Sequence, residues 1–293
     1  MKYLVGFSAD QSGLEALQLA AVLARTTHGS LVVCTLVPEA WDHPSLARID
    51  QEYASFLYQH ADRALACAKA ALPADISADF IARSVPSTSE GLLRTANELS
   101  ADCIVMGSAR SAIKGRFDSG SVTTNMLQSA GLPVILTPRG FTVADNAVVQ
   151  RITCAVSGSE HSPLLAEQAG EIAATFGVSL RLATFIVRDK QMYPTGVGYS
   201  AENQVANQLR VQAQAAHDAI QHDWHSPVAL SSVLGDGEDW KSALGSIDWE
   251  ETELLIIGSS DRGQLMRVFL GSNAGKIARF ATVPRLVLPR RPD

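Results

Sequence analysis

The chain carries one pattern twice, and this duplication limits what it can fold into more than any other feature. In Ile104-Val105-Met106-Gly107-Ser108, Gly107 stands thirteen residues ahead of Gly120-Ser121. In Leu255-Ile256-Ile257-Gly258-Ser259, Gly258 stands thirteen residues ahead of Gly271-Ser272. The offset between the copies is 151 residues at both glycines, and Pro133-Val134-Ile135-Leu136 returns at the same offset as Pro284-Arg285-Leu286-Val287-Leu288. Phe7-Ser8-Ala9-Asp10 returns as Val156-Ser157-Gly158-Ser159 at an offset of 149. Repeats that build solenoids and propellers run at about 20–50 residues, so a period this long marks a duplicated domain. Each copy is of ordinary domain size.

The expected domains are residues 1–140 and 150–293, with a linker near Arg139–Val149 where Pro138 and Gly140 close the last strand of the first copy. A net charge of −6 over 293 residues offers no basic surface to nucleic acid or an anionic membrane. Met1–Val5 has no secretory pattern and no apolar run is long enough to span a bilayer, so the expected location is cytoplasmic. Cys34, Cys67, Cys103 and Cys154 lack metal-type spacing and are expected as reduced core residues.

Short aliphatic runs alternate with amphipathic helical stretches, the pattern of a parallel sheet covered on both faces. Expected strands in the first copy are Tyr3–Phe7, Leu31–Leu36, Phe80–Val85, Cys103–Met106 and Val134–Thr137; in the second they are Ile152–Val156, Leu180–Ile186, Val228–Val233, Leu254–Ile257 and Leu286–Leu288. Helical spacing links Leu14, Leu17, Ala20, Ala21 and Ala24, and again Leu92, Leu93, Ala96 and Leu99, where Ser87 and Glu90 suggest a capping box. A long helix is expected over Ser45–Leu72 with Tyr53, Leu57 and Ala61 on one face. Further helices are expected at Gly120-Ser121, at Ser162-Pro163, near Asn203, near Asp239 and at Ser272, and a loop over Arg188–Asn203. The fold class is α/β: two tandem doubly wound domains, each a five-stranded parallel sheet flanked by helices.

Ligands of such sheets bind beyond the carboxyl ends of the strands. Ser8–Ser12 and Gly107–Ser121 lie there in the first copy, as do Ser157–Ser162 and Gly258–Ser272 in the second. Gly120-Ser121 and Gly271-Ser272 open helices whose free N–H groups and positive dipole ends suit phosphate. The same Gly-Ser pairs are also ordinary helix starts, so capping alone is an equal reading.

Ala101-Asp102-Cys103-Ile104-Val105-Met106-Gly107-Ser108, Gly120-Ser121-Val122 and Leu132-Pro133-Val134-Ile135-Leu136 resemble the universal stress protein family in motif and order. Ile257-Gly258-Ser259, Arg262-Gly263, Leu270-Gly271-Ser272 and Val283-Pro284 resemble a second copy, and together the two cover nearly the whole chain. The resemblance implies a sheet in the order 3-2-1-4-5. It also implies that the two halves pair within one chain through their last strands, imitating the family's dimer, with a further homodimer as an open alternative.

In members that bind ATP the fingerprint is glycine, two residues, glycine, nine residues, glycine, then serine or threonine. This chain offers Arg110 and Asp261 where the middle glycine belongs, and Ser8 and Ser157 where an aspartate usually stands near the adenosine. The residues carried over to a nucleotide site are Ser8, Gly107, Arg110, Gly120 and Ser121 in the first copy and Ser157, Gly258, Gly271 and Ser272 in the second. Arg110 supplies a cation where Asp261 repels phosphate, which favours the first copy; Asp118 close to Gly120, and Arg262-Gly263 in the second loop, pull the other way.

Two readings follow: a cytosolic stress-response protein binding ATP or a related nucleotide, or a protein-interaction scaffold that has lost nucleotide binding in one or both halves and serves protein partners of unknown identity. Weak nucleotide hydrolysis is a third, without an identifiable general base or metal carboxylate. No metal site is identifiable either, because helical geometry sets His217 and His222 on different faces. His161 sits where related adenylate-forming enzymes carry a signature histidine, but without the rest of that signature. Trp224, Trp240 and Trp249 are expected in core-rim packing, and Arg139, Arg285, Arg290 and Arg291 as a basic fringe, either solvated or paired with acids at a domain junction.

Overall fold

The computed structural model describes residues 1–39, 47–188, 199–259 and 272–289. The chain divides into two compact units whose main bodies are Met1–Val148 and Val149–Gly258. In the first, strands β1 (Lys2–Gly6), β2 (Ser30–Pro38), β3 (Ala78–Val85), β4 (Cys103–Met106) and β5 (Val134–Leu136) alternate with helices α1 (Gln11–Thr27), α2 (Ala47–Ala71), α3 (Thr88–Glu98) and α4 (Ser121–Ser129). The strands are parallel and lie in the order β3-β2-β1-β4-β5. The second copy repeats this with β6 (Arg151–Ala155), α5 (Ser162–Phe176), β7 (Ser179–Val187), α6 (Tyr199–His222), β8 (Leu230–Gly237), α7 (Trp240–Gly245), β9 (Leu254–Gly258), α8 (Ser272–Phe280) and β10 (Arg285–Leu288), in the order β8-β7-β6-β9-β10. The expected fold class and strand order are both present.

The cores follow from the aliphatic runs. Tyr3, Leu4 and Val5 on β1, Ile104 and Val105 on β4, and Leu255 and Ile256 on β9 are fully buried, as strands covered on both faces must be. Helix α1 starts at Asp10, whose carboxylate accepts from the Gly13 N–H at 3.0 Å, and stops at His28 in the left-handed conformation. Its Glu15, only 2% exposed, pairs with Arg139 at 3.4 Å, and Gln18 and Arg25 of the same helix donate to the carbonyls of Val143 and Ala147. The chain leaving β5 is thus fastened along α1.

Several local expectations differ from the structure. Strand β8 begins at Leu230, because the Val228 carbonyl accepts the Trp224 indole N–H at 2.9 Å and the Val228 N–H bonds Ser226, holding that residue in a turn. Ser87 is the N-cap of α3 without a side-chain cap bond; its hydroxyl lies 3.3 Å from that of Ser89 instead. Tyr53 is exposed although Ala61 on the same α2 face is buried, and Cys67 is exposed where the other three cysteines are buried. Arg285 belongs to no surface fringe: it is fully buried in β10, and burial pulls its guanidinium down to about 9. Arg290, Arg291 and most of the expected 188–203 loop lie outside the described residues, and helix α6 has already begun at Tyr199.

At the amino ends of β6, β7 and β9, fully buried Glu253 ties three elements together. It accepts from Arg181 of β7 at 2.8 Å, from Arg151 of β6 at 2.7 Å, from the Thr153 hydroxyl and from the Glu250 N–H at 3.0 Å. Trp249 covers Arg181 at 5.3 Å and stacks on Phe185. A buried ion pair adds little over an apolar pair, yet removing one partner strands the other charge, at about 3–5 kcal/mol. Glu253→Ala is therefore expected to cost about that much in denaturant unfolding followed by circular dichroism and tryptophan fluorescence, and Glu253→Gln clearly less. A loss below about 1 kcal/mol for the alanine variant would contradict this role for Glu253.

Candidate functional site

In the first unit the carboxyl ends of β1 and β4 are neighbours, with Val5 opposite Val105. The chain leaves them in opposite directions across the sheet, β1 leading to β2 on one side and β4 to β5 on the other. This is the switch point where doubly wound folds open a crevice. Two loops flank it, Phe7–Asp10 and Gly107–Gly120.

Close packing holds these loops. A Cβ on Gly107 would fall 2.3 Å from the Ser12 hydroxyl and 2.4 Å from the Ser12 carbonyl. The Ser12 hydroxyl donates to the Ser108 carbonyl at 2.6 Å, locking the loop after β4 onto the first turn of α1. Buried Ser108 then shapes the loop's far side: its hydroxyl accepts from the Asp118 N–H at 3.0 Å, while the Ala109 N–H donates to the Asp118 carbonyl at 2.8 Å. On the other side Gly13 sits so close to Ser8 that a Cβ would lie 2.0 Å from the Ser8 carbonyl.

Gly120 differs in kind. It is the extended N-cap of α4, and among the described residues no side chain caps that helix and an added Cβ would meet nothing nearer than the Ala109 Cβ at 4.0 Å. Ser121 follows, exposed, in the first turn. The opening N–H groups of α4, with the positive end of the helix dipole, therefore have no side-chain acceptor among the described residues.

Arg110 reaches the other loop. Its Nε lies 2.7 Å from Asp10 Oδ2, with the Arg110 side chain 81% exposed and that of Asp10 23% exposed. Partial burial would raise the Asp10 carboxyl, but the Gly13 N–H, the Arg110 guanidinium and the Ser8 hydroxyl outweigh it and hold it below the usual carboxylate range. Ser8, Gly107, Arg110 and Gly120 thus lie on the two loops beyond the carboxyl ends of β1 and β4, and Ser121 opens the helix that follows. Asp10 and Ser12 fall within the Ser8–Ser12 stretch expected at the strand ends, but their individual roles were not legible in the sequence. Asp10 directly precedes an apolar helical stretch, an N-cap signal, but its pairing partner lies one hundred residues away.

In the second unit Ser157 and Ser159 follow β6, their hydroxyls 3.2 Å apart around Gly158, which has a φ of 72°. Gly258 closes β9, where a Cβ would press to 3.0 Å on Leu165. Ser272 is exposed in the first turn of α8; Gly271, Asp261 and Arg262-Gly263 lie outside the described residues. Beside this loop His217 of α6 is fully buried, with Nε2 2.9 Å from the Thr184 hydroxyl. That hydroxyl has a single proton and donates it to the Val156 carbonyl at 2.8 Å, so His217 donates from Nε2; its Nδ1 is buried without a hydrogen-bond partner among the described residues, which favours the neutral imidazole unprotonated there. His222 and His225 are exposed, away from this arrangement. Among the described residues no group of His, Cys, Asp and Glu could hold a metal ion.

Two copies of a doubly wound five-stranded parallel sheet in one chain define a tandem α/β protein of the universal stress type. The model of the Universal stress protein family matches residues 1–138 and again 149–289, and the chain belongs to that family. Universal stress proteins from Mycobacterium tuberculosis and Mycobacterium bovis are 37% identical over 294 residues, 99% of this chain and 100% of theirs. Among solved structures, a universal stress protein from Archaeoglobus fulgidus shares the fold at 16% identity with a TM-score of 0.61, covering 99% of this chain and 98% of its own. A putative universal stress protein from Pseudomonas aeruginosa does so at 16% identity and 0.54, covering 98% and 93%.

Burial holds the His217 imidazole below its usual range, with only Asp218 opposing. Its pKa is then lower folded than unfolded, so its contribution to stability is complete above about 6.5 and is lost as pH falls from there through the folded value. The urea midpoint of the wild type is expected to fall more between pH 7.5 and 5.5 than that of His217→Gln. Equal falls would contradict the buried neutral state.

Proposed function

We propose that this protein is a stress-response protein that binds ATP or a related adenine nucleotide in its first universal stress domain, with the phosphates on the opening N–H groups of α4. The observation that carries this reading is Gly120. Gly107 and Gly13 are accounted for by close packing within the protein, whereas among the described residues only the Ala109 Cβ, at 4.0 Å, lies within van der Waals reach of a Cβ at Gly120, at a helix start that no described side chain caps. Ser121 adds a hydroxyl, and Arg110 supplies a cation from the same loop. The second domain is the weaker candidate, since Asp261 stands in place of Arg110. The cytoplasm is the location that fits ATP as ligand and four free cysteines; no helix among the described residues is long and apolar enough to cross a membrane.

Calorimetry with ATP on the wild type and Gly120→Val tests this. Because a Cβ at 120 meets only one atom of the described residues, at 4.0 Å, the variant is expected to stay folded, giving up no more than a helix-cap contribution of about 1 kcal/mol, while losing at least about tenfold in affinity as a side chain enters the phosphate's place. Undiminished binding in Gly120→Val would sink the assignment. Absence of binding in the wild type would instead support the interaction scaffold.

A further inference from the structure

The Asp10–Arg110 pair is the feature of the crevice that the phosphate reading leaves unexplained. It joins the two loops across the mouth of the site, from the cap of α1 to the loop after β4, at 2.7 Å. Its carboxylate already has another task, accepting from the Gly13 N–H, and stays in place whatever Arg110 does. Its guanidinium has no such second anchor among the described residues, being a long and 81% exposed side chain. An exposed pair of this kind is weak, so a better anion can take the cation from Asp10. A polyphosphate is a better anion than a single carboxylate, because it offers several charges and a geometry that suits guanidinium.

We propose that Arg110, held by Asp10, is a charge-selective gate of the first-domain site: it transfers from the carboxylate to the phosphates of an entering nucleotide, and so sets a preference for polyphosphate over monophosphate ligands. The gate rests on the nucleotide reading above. It is peculiar to the first copy, because the matching positions in the second are Ser159 and Asp261, which cannot form such a pair.

The test measures ATP, AMP and adenosine binding to the full-length wild type, Asp10→Asn and Arg110→Gln. Asparagine keeps the helix cap, so the first variant frees Arg110 without unfolding α1. Asp10→Asn is expected to bind ATP about two- to fivefold more tightly, the worth of an exposed ion pair, and adenosine as before. Arg110→Gln is expected to weaken ATP more than AMP and leave adenosine unchanged, with the difference shrinking at high salt. On adding ATP to the wild type, the carboxyl carbon resonance of Asp10 is expected to move towards its position in Arg110→Gln. Tighter ATP binding by Arg110→Gln would overturn the proposal by making the side chain an obstruction. Wild-type ATP affinity in both variants, in a protein whose binding Gly120→Val abolishes, would overturn the gate and leave the nucleotide reading standing. No ATP binding in any of the three proteins would overturn both.

Discussion

The contact between Gly107 and Ser12 sets the geometry on which the first-domain site depends. With no side chain at 107, the chain leaving β4 comes down on the first turn of α1, and the Ser12 hydroxyl closes the contact on the Ser108 carbonyl. Ser108 in turn holds Asp118, two residues before Gly120, so the start of α4 is placed through a short sequence of hydrogen bonds. Any side chain at 107 would have to displace backbone as well as a hydroxyl. This glycine is required by the fold whether or not a ligand binds.

That distinction separates the glycines of the family pattern into two kinds. Gly107 touches protein on its open side and is uninformative about function, while Gly120 touches almost nothing among the described residues, which do not require its small size. The copies share the scaffold but differ in what surrounds it. The described buried positions of α2 are Ala61, Ala64 and Ala68, all apolar, whereas α6 buries an imidazole, so the His217–Thr184 bond is a feature of the second copy. Thr184 itself has a counterpart in Thr35, whose hydroxyl donates to the Phe7 carbonyl at 3.3 Å.

The sheets were legible in the sequence because central parallel strands are buried on both faces and read as continuous aliphatic runs. The candidate loops were legible because glycine spacing repeats. What stayed hidden depended on partners distant in the chain. The Asp10–Arg110 pair spans one hundred residues, and neither residue type signals the other. Arg285 reads as a surface cation until its strand is seen to be fully covered, and Cys67 reads as core because it sits in an alanine-rich helix whose buried stripe passes through Ala61, Ala64 and Ala68 instead. The start of β8 moved for a local reason, since the indole of Trp224 claims the carbonyl of Val228 and a polar stretch, Ser231-Ser232, continues as strand.

The most direct test of nucleotide binding is the small-molecule content of the protein itself. Protein purified rapidly without added nucleotide, then denatured and examined by mass spectrometry, is predicted to release an adenine nucleotide rich in polyphosphate, in no more than one equivalent per chain, and to refill when ATP is supplied. Protein that releases no nucleotide and takes up none on addition of ATP would contradict the account.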